Sequence, residues 1–195
     1  MKGKLITFEG IDGSGKTTIA NLLYQKIKDR AVLTAEPTEN WLGECVKRAL
    51  EEERDAITIA LLFAADRNEH IKDIKKWMKE GKIVLCDRFI DSTFAYQKEH
   101  LKIGGAMEWL HTIHEPFFIK PDLTFLLYIE PKKAMERIKE RKLAIYEYEE
   151  FLKKVQDNYM ELARNEERFV IIDADKSKEE IVEECIKILK EKKII

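Results

Sequence analysis

Gly10-Ile11-Asp12-Gly13-Ser14-Gly15-Lys16-Thr17 follows the short apolar run Leu5-Ile6-Thr7-Phe8 and leads into a segment with helical spacing. The stretch satisfies G-x-x-x-x-G-K-[ST]. A strand before it and a helix after it are the setting a phosphate-binding loop requires. Gly10, Gly13 and Gly15 let the backbone turn tightly and aim several N–H groups at one anion. Lys16 is a point charge within reach of the outer phosphates, and the Thr17 hydroxyl is placed to ligate Mg²⁺. The start of the helix, at Thr17-Thr18, adds its positive dipole end. A glycine-rich turn that served only to reverse the chain would not need Lys-Thr directly after the last glycine. The run Gly10, Ile11, Asp12, Gly13, Ser14, Gly15, Lys16, Thr17 and Thr18 is therefore the expected cradle for a nucleoside triphosphate.

Outward from this loop, 195 residues suffice for one domain with a substantial core. Lys+Arg 35 against Asp+Glu 37 leaves a net charge of −2, which does not favour a general nucleic-acid binder. Cys45, Cys86 and Cys185 lie far apart, with no C-x-x-C pair, as expected of reduced thiols in a cytoplasmic protein. Cys86, inside an apolar run, is expected to be a buried structural thiol. No apolar stretch approaches the roughly 18 residues needed to span a membrane, so no membrane partner is expected.

Along the chain, apolar runs alternate with segments of helical period. Strands are expected at Leu5–Glu9, Ala31–Thr34, Ile83–Cys86, Leu123–Ile129 and Phe169–Asp173. Helices are expected at Thr17–Arg30, around Trp41–Glu53, at Asp55–Glu80 with Gly81 as its terminator, and at Asp91–Glu99. Further helices should run through Ile113, from Pro131 to about Lys142, up to Asn165, and over Lys178–Lys192. Strands apolar throughout, each followed by a helix, imply an α/β fold with a five-stranded parallel sheet covered on both faces, a three-layer arrangement. Ligands of such sheets collect at the carboxyl ends of the strands. Those ends carry the Gly10–Thr17 loop, Glu36-Pro37, Asp87-Arg88 and Asp173, which should converge on one site.

Asp87-Arg88 is the second informative pair. A carboxylate at the tip of a buried strand, across from the phosphate loop, can hold Mg²⁺ directly or through water. The adjacent arginine offers a planar fork for a second phosphate. As an alternative, the pair is a surface ion pair ending a strand.

With these residues in view, the sequence resembles the thymidylate kinases, a family of P-loop nucleoside monophosphate kinases. The resemblance covers nearly the whole chain. It runs from Phe8-Glu9-Gly10 through Thr18 to Leu61-Leu62-Phe63-Ala64-Ala65-Asp66-Arg67, then Asp87-Arg88-Phe89, Ser92-Thr93 and Ala95-Tyr96-Gln97. It continues in Pro121-Asp122-Leu123-Thr124, Tyr159, Leu162-Ala163 and Ile171-Ile172-Asp173-Ala174. It implies a single P-loop kinase domain over residues 1–195, with a small lid at about 137–150. It also implies transfer of the ATP γ-phosphoryl group to dTMP, with Mg²⁺, by a homodimer whose contact uses helices beside the acceptor site. By resemblance, Phe63 stacks on thymine and Arg67 bonds its carbonyl edge. Arg88 holds the acceptor phosphate, with Ser92 beside it. Thr93 and Gln97 lie near the base, Tyr96 near the deoxyribose and Asp12 at the 3′-hydroxyl, with Glu36 close by. Without the resemblance, Phe63 and Arg67 read as a core Phe and a solvated Arg.

The phosphate loop carries one cation only, so the resemblance assigns the missing charge to the lid, where Arg137, Arg141 and Lys142 are candidates. No Arg or Lys follows Lys142 until Lys153, and Ala35 stands where bacterial relatives often have arginine before Glu-Pro. Three alternatives stay open at this level: a monophosphate kinase with another acceptor such as dUMP or UMP, a deoxynucleoside kinase with Glu36 as base, and a nucleotide-switch ATPase.

Overall fold

The computed structural model describes residues 3–138 and 145–195. Five parallel strands, β1 (Lys4–Glu9), β2 (Ala31–Ala35), β3 (Ile83–Asp87), β4 (Leu123–Tyr128) and β5 (Phe169–Asp173), form one sheet in the order β2-β3-β1-β4-β5. The expected α/β architecture is the one observed. Side chains alternate between the two faces of each strand. Ile6 and Phe8 of β1 and Ile83 and Leu85 of β3 enter one core, with α1 (Lys16–Ile27) and α9 (Lys178–Glu191). Leu5, Val84 and Cys86 enter the other, against α3 (Ala56–Lys79) and α6 (Ala106–His114). A fully buried Leu, Ile or Phe contributes about 1.5–3 kcal/mol of transfer free energy. β3 is buried at every position, which is why its sequence is apolar up to Asp87.

The helices start and stop where local chemistry allows. Asn40 caps α2 (Trp41–Glu51), accepting from the Leu42 and Gly43 N–H groups. Asp55 caps α3, and Ser177 and Glu180 form a reciprocal capping box on α9. Gly81 (φ 79°) follows α3, as expected of its terminator. By contrast α1 begins after Gly15 (φ 91°) with no side-chain cap among the described residues, leaving its first N–H groups to an anion.

Two expected helices differ. The Asp91–Glu99 segment is a composite of α4 (Ile90–Ser92), a π-helical stretch (Thr93–Gln97) and α5 (Lys98–His100). Wider i→i+5 turns of this kind are rare, and those that occur are frequently found at functional sites. The helix from Pro131 ends at Arg137, short of Lys142, because Ile138 already leaves helical geometry (φ −99°, ψ 7°). Arg141 and Lys142 lie outside the described residues, and the chain is described again from α8 (Ile145–Asn165) onward.

Candidate active site

Parallel pairing carries the ladder one step past the strand tips. Arg88 N–H donates to the Phe8 carbonyl at 3.0 Å, and Glu36 N–H to the Asp87 carbonyl at 3.0 Å. Three neighbouring strands thereby deliver Gly10, Glu36 and Arg88 to one end of the sheet. Arg88 itself sits at φ 65°. This left-handed conformation costs a non-glycine residue about 1–3 kcal/mol, and such strain concentrates at functional sites.

Two cavities open there. One, of about 1070 Å³, is lined by Asp12, Gly13, Ser14, Gly15, Lys16, Thr17 and Thr18, with Arg137 and the Ala174–Glu179 region opposite. Gly10 and Ile11 stand behind the loop: a Cβ on Gly10 would sit 2.5 Å from the Leu127 carbonyl oxygen, and the Ile11 carbonyl accepts from Lys16 Nζ at 2.8 Å. Burial, and then the Arg88 charge, push the Lys16 ammonium down to about 7. Thr17 Oγ1 donates to Asp87 Oδ2, while Asp87 Oδ1 is buried with no hydrogen-bond partner among the described residues. Arg137 donates to the Ala174 carbonyl at 3.0 Å, tying α7 (Pro131–Arg137) to the loop after β5.

The other cavity, of about 710 Å³, is lined by Asp12, Glu36, Phe63, Arg67, Arg88, Ser92, Thr93, Tyr96 and Gln97, together with Pro37, Phe89, His100, Tyr148 and Phe151. Asp12 and Arg88 line both cavities and are ion-paired to each other, so the two spaces meet at this pair. Tyr96 accepts from Asp12 N–H at 2.9 Å, and its ring lies 5.1 Å from the Arg88 guanidinium. Gln97 Oε1 is a second buried acceptor without a partner among the described residues. Phe63 and Arg67 share one face of α3, as their spacing of four requires.

Arg67 is 1% exposed, so the reading of it as a solvated arginine is corrected. Its burial is sustained by Glu36, which accepts from Nε at 2.8 Å and NH2 at 2.6 Å. Burial alone would raise the Glu36 carboxyl, but Arg67 and His70 outweigh it and hold it below its ordinary value. Thr38, on the same loop, donates from its N–H (2.9 Å) and hydroxyl (2.5 Å) to Asp66. α3 therefore anchors both ends of the Glu36–Thr38 turn.

Residues not singled out from the sequence complete the site. Glu9 is fully buried and accepts from Phe89 N–H (2.8 Å), Ser92 Oγ (2.6 Å) and Tyr159 OH (2.9 Å). Burial, then the Asp91 charge, push its carboxyl up to about 7. Ser92 also accepts from Arg88 NH1 at 3.2 Å, so Glu9 acts on Arg88 through that hydroxyl. A carboxylate closing an apolar strand directly before Gly10 was the available signal. Tyr148 OH donates to Asp12 Oδ2 at 2.7 Å, and its ring stacks with Phe151. The amphipathic period of α8 accounts for both side chains as core, so neither stood out.

The Gly10–Thr17 loop, on a parallel sheet covered on both faces, thus faces a second cavity across a buried Asp-Arg strand tip. The thymidylate kinase family model matches residues 8–185. A probable thymidylate kinase of Methanococcoides burtonii is 43% identical over 97% of both chains. One of Methanocaldococcus jannaschii is 44% identical over 95% of both. The crystal structure of thymidylate kinase from Ehrlichia chaffeensis superposes with a TM-score of 0.77 at 32% identity, covering 96% of this chain and 98% of that one. The chain belongs to the thymidylate kinase family and is an enzyme of the nucleoside monophosphate kinase type. No helix among the described residues is long and apolar enough to cross a membrane.

Proposed function

We propose that the enzyme transfers the γ-phosphoryl group of ATP to the phosphate of dTMP, giving dTDP and ADP. The meeting of the two cavities at Asp12 and Arg88 carries this reading, because it lets two phosphorylated ligands approach end to end. ATP occupies the cavity of the phosphate loop, with Lys16 on its outer phosphates and Arg137 and the loop after Asp173 near the adenine. dTMP occupies the other. There Phe63 stacks on thymine, Arg67 donates to its carbonyl edge, and Thr93 and Gln97 flank the base. Tyr96 lies against the deoxyribose, Asp12 meets the 3′-hydroxyl, and Arg88 with Ser92 holds the phosphate. Glu36 acts from behind, through Arg67.

The pair Thr17 and Asp87 fits Mg²⁺. One carboxylate oxygen is buried and unsatisfied among the described residues, and a hydroxyl lies beside the other. Mg²⁺ typically takes one or two protein oxygens and completes its shell with phosphates and water. When bound it neutralises charge on the transferring phosphoryl group. Lys16, Arg88 and a lid cation, proposed as Arg141, supply the remaining positive charge. The lid, at about 137–150, closes over ATP and excludes water.

The acceptor phosphate is ionised near neutral pH, so no protein base is needed. Glu36, held as a carboxylate by Arg67 and His70, is poorly suited to deprotonate a hydroxyl, which weighs against a deoxynucleoside kinase. Free thiols at Cys45, Cys86 and Cys185 and nucleotide substrates fit a cytoplasmic enzyme. Trp41 (71% exposed) and Leu50 on α2 and Ile57 and Leu61 on α3 form an apolar surface for a homodimer. Light scattering should give twice the 23.0 kDa chain mass; a monomer at micromolar concentration would refute this.

The decisive experiment is an acceptor panel with Mg·ATP: dTMP, dUMP, UMP, dGMP and thymidine. dTMP is expected to lead in kcat/KM by about tenfold or more. UMP or thymidine outpacing it, or ATP hydrolysis indifferent to acceptor, would overturn the assignment. A second expectation follows from Lys16. Its ammonium, near 7 in the free protein, rises when it faces phosphates. At pH 8 binding of Mg·ATP should take up about one proton, falling towards zero at pH 6, where the amine is already charged. Calorimetry in two buffers of different ionisation enthalpy measures this. Equal heats in both buffers at pH 8 would contradict it.

A further inference from the structure

Arg67 reaches Glu36 through two bonds, from Nε and NH2, and both end on the same oxygen, Oε2. The other oxygen, Oε1, accepts from His70 Nδ1 at 2.9 Å. Two bonds to one atom form a pivot, about which the guanidinium can rock. A third contact removes that freedom: Arg67 NH1 lies 2.8 Å from His114 Nε2, with both side chains about 1% exposed.

The roles in that contact are fixed by chemistry. A guanidinium only donates. His114 Nδ1 lies 2.8 Å from the Leu110 carbonyl, which only accepts, so Nδ1 carries the proton and Nε2 the lone pair. Burial, then the Arg67 charge, push the imidazolium down to about 4, so the ring stays a neutral acceptor at physiological pH. The Phe94 and Phe117 rings stand edge-on to it at 6.3 and 5.5 Å. With Phe89 beneath the guanidinium at 5.5 Å, Arg67 is held from three directions. The three bonds use three of its five N–H donors and leave one on each terminal nitrogen for the cavity that Arg67 lines.

We infer that His114, which does not line the cavity, is a positioning residue that sets the angle at which Arg67 presents those two donors to the acceptor's base. The inference rests on the proposed contact between Arg67 and the base. It assigns to the last turn of α6 a part in acceptor recognition.

Two substitutions separate its parts. His114→Asn retains a donor near the Nδ1 position for Leu110 but loses the Nε2 acceptor. His114→Gln places an amide oxygen near Nε2. Asn is expected to raise the dTMP KM about tenfold, leave the ATP KM unchanged and narrow the preference for dTMP over dCMP; Gln should restore most of the loss. In an Arg67→Ala background the Asn change should add nothing. If Arg67→Ala raises the dTMP KM but His114→Asn does not, or if Gln behaves as Asn does, the positioning role is wrong and the reading of Arg67 stands. If Arg67→Ala leaves the dTMP KM unchanged, both fall. Should the variants not fold, long-range ¹H–¹⁵N spectra of the unaltered enzyme at pH 7 give the tautomer. An unprotonated Nε2 on His114 is expected, and a protonated one overturns the inference.

Discussion

Lys16→Ala is expected to abolish detectable transfer to dTMP, lowering kcat by about a thousandfold or more. Lys16 is the single cation of the phosphate loop and is 5% exposed. Its Nζ spends its reach on the Ile11 carbonyl and, at 3.4 Å, on Ser14 Oγ, groups of its own loop. Phosphate oxygens would compete with those partners for the same ammonium hydrogens. A preorganised charge in a water-excluded site is worth far more than one in water, because no solvent has to reorient as charge develops. Measured by single-turnover transfer, retention of more than a tenth of the activity would show that the loop does not hold the transferring group.

Arg88→Ala should strike the acceptor side instead, raising the dTMP KM about a hundredfold, equivalent to about 2.7 kcal/mol. The ATP KM should move less than about threefold. Arg88 is locked by its pair with Asp12, by Ser92 and by the Tyr96 ring. Its fork is therefore oriented before substrate arrives, which lowers the entropy cost of binding. Arg88→Lys keeps a charge but not the planar fork, and should recover only part of the loss. Initial-rate kinetics varying dTMP at saturating ATP test this. An unchanged dTMP response in Arg88→Ala would remove the residue from acceptor binding.

The phosphate loop, the five strands and their parallel arrangement were legible because their signals are local. Glycine spacing sets a turn, and an apolar run of five or six residues needs a sheet buried on both faces. The proposed acceptor side was reached only through resemblance. Phe63 and Arg67 alone give a helix face, and nothing within α3 says which way it points. Arg67 read as solvated because its partners, Glu36 and His114, lie 31 and 47 residues away. Glu9 was given no role for the same reason, since its donors stand 80, 83 and 150 residues away. The helix from Pro131 closes at Ile138, earlier than its sequence suggested, because propensity does not report the tertiary contacts that end a helix.

The amino-acid order alone therefore determined which loop has the pattern of a phosphate cradle, what kind of sheet presents it, and that a carboxylate and an arginine leave β3 together. Each depends on neighbours within a few residues or on the period of a single element. Folding settled that Asp12 and Arg88 join two cavities, that Arg67 is buried against Glu36 and His114, and that Glu9 supports Arg88 through Ser92. Those contacts bridge distant segments. Their energies depend on burial, which exists only once the strands have paired and the helices have closed over them.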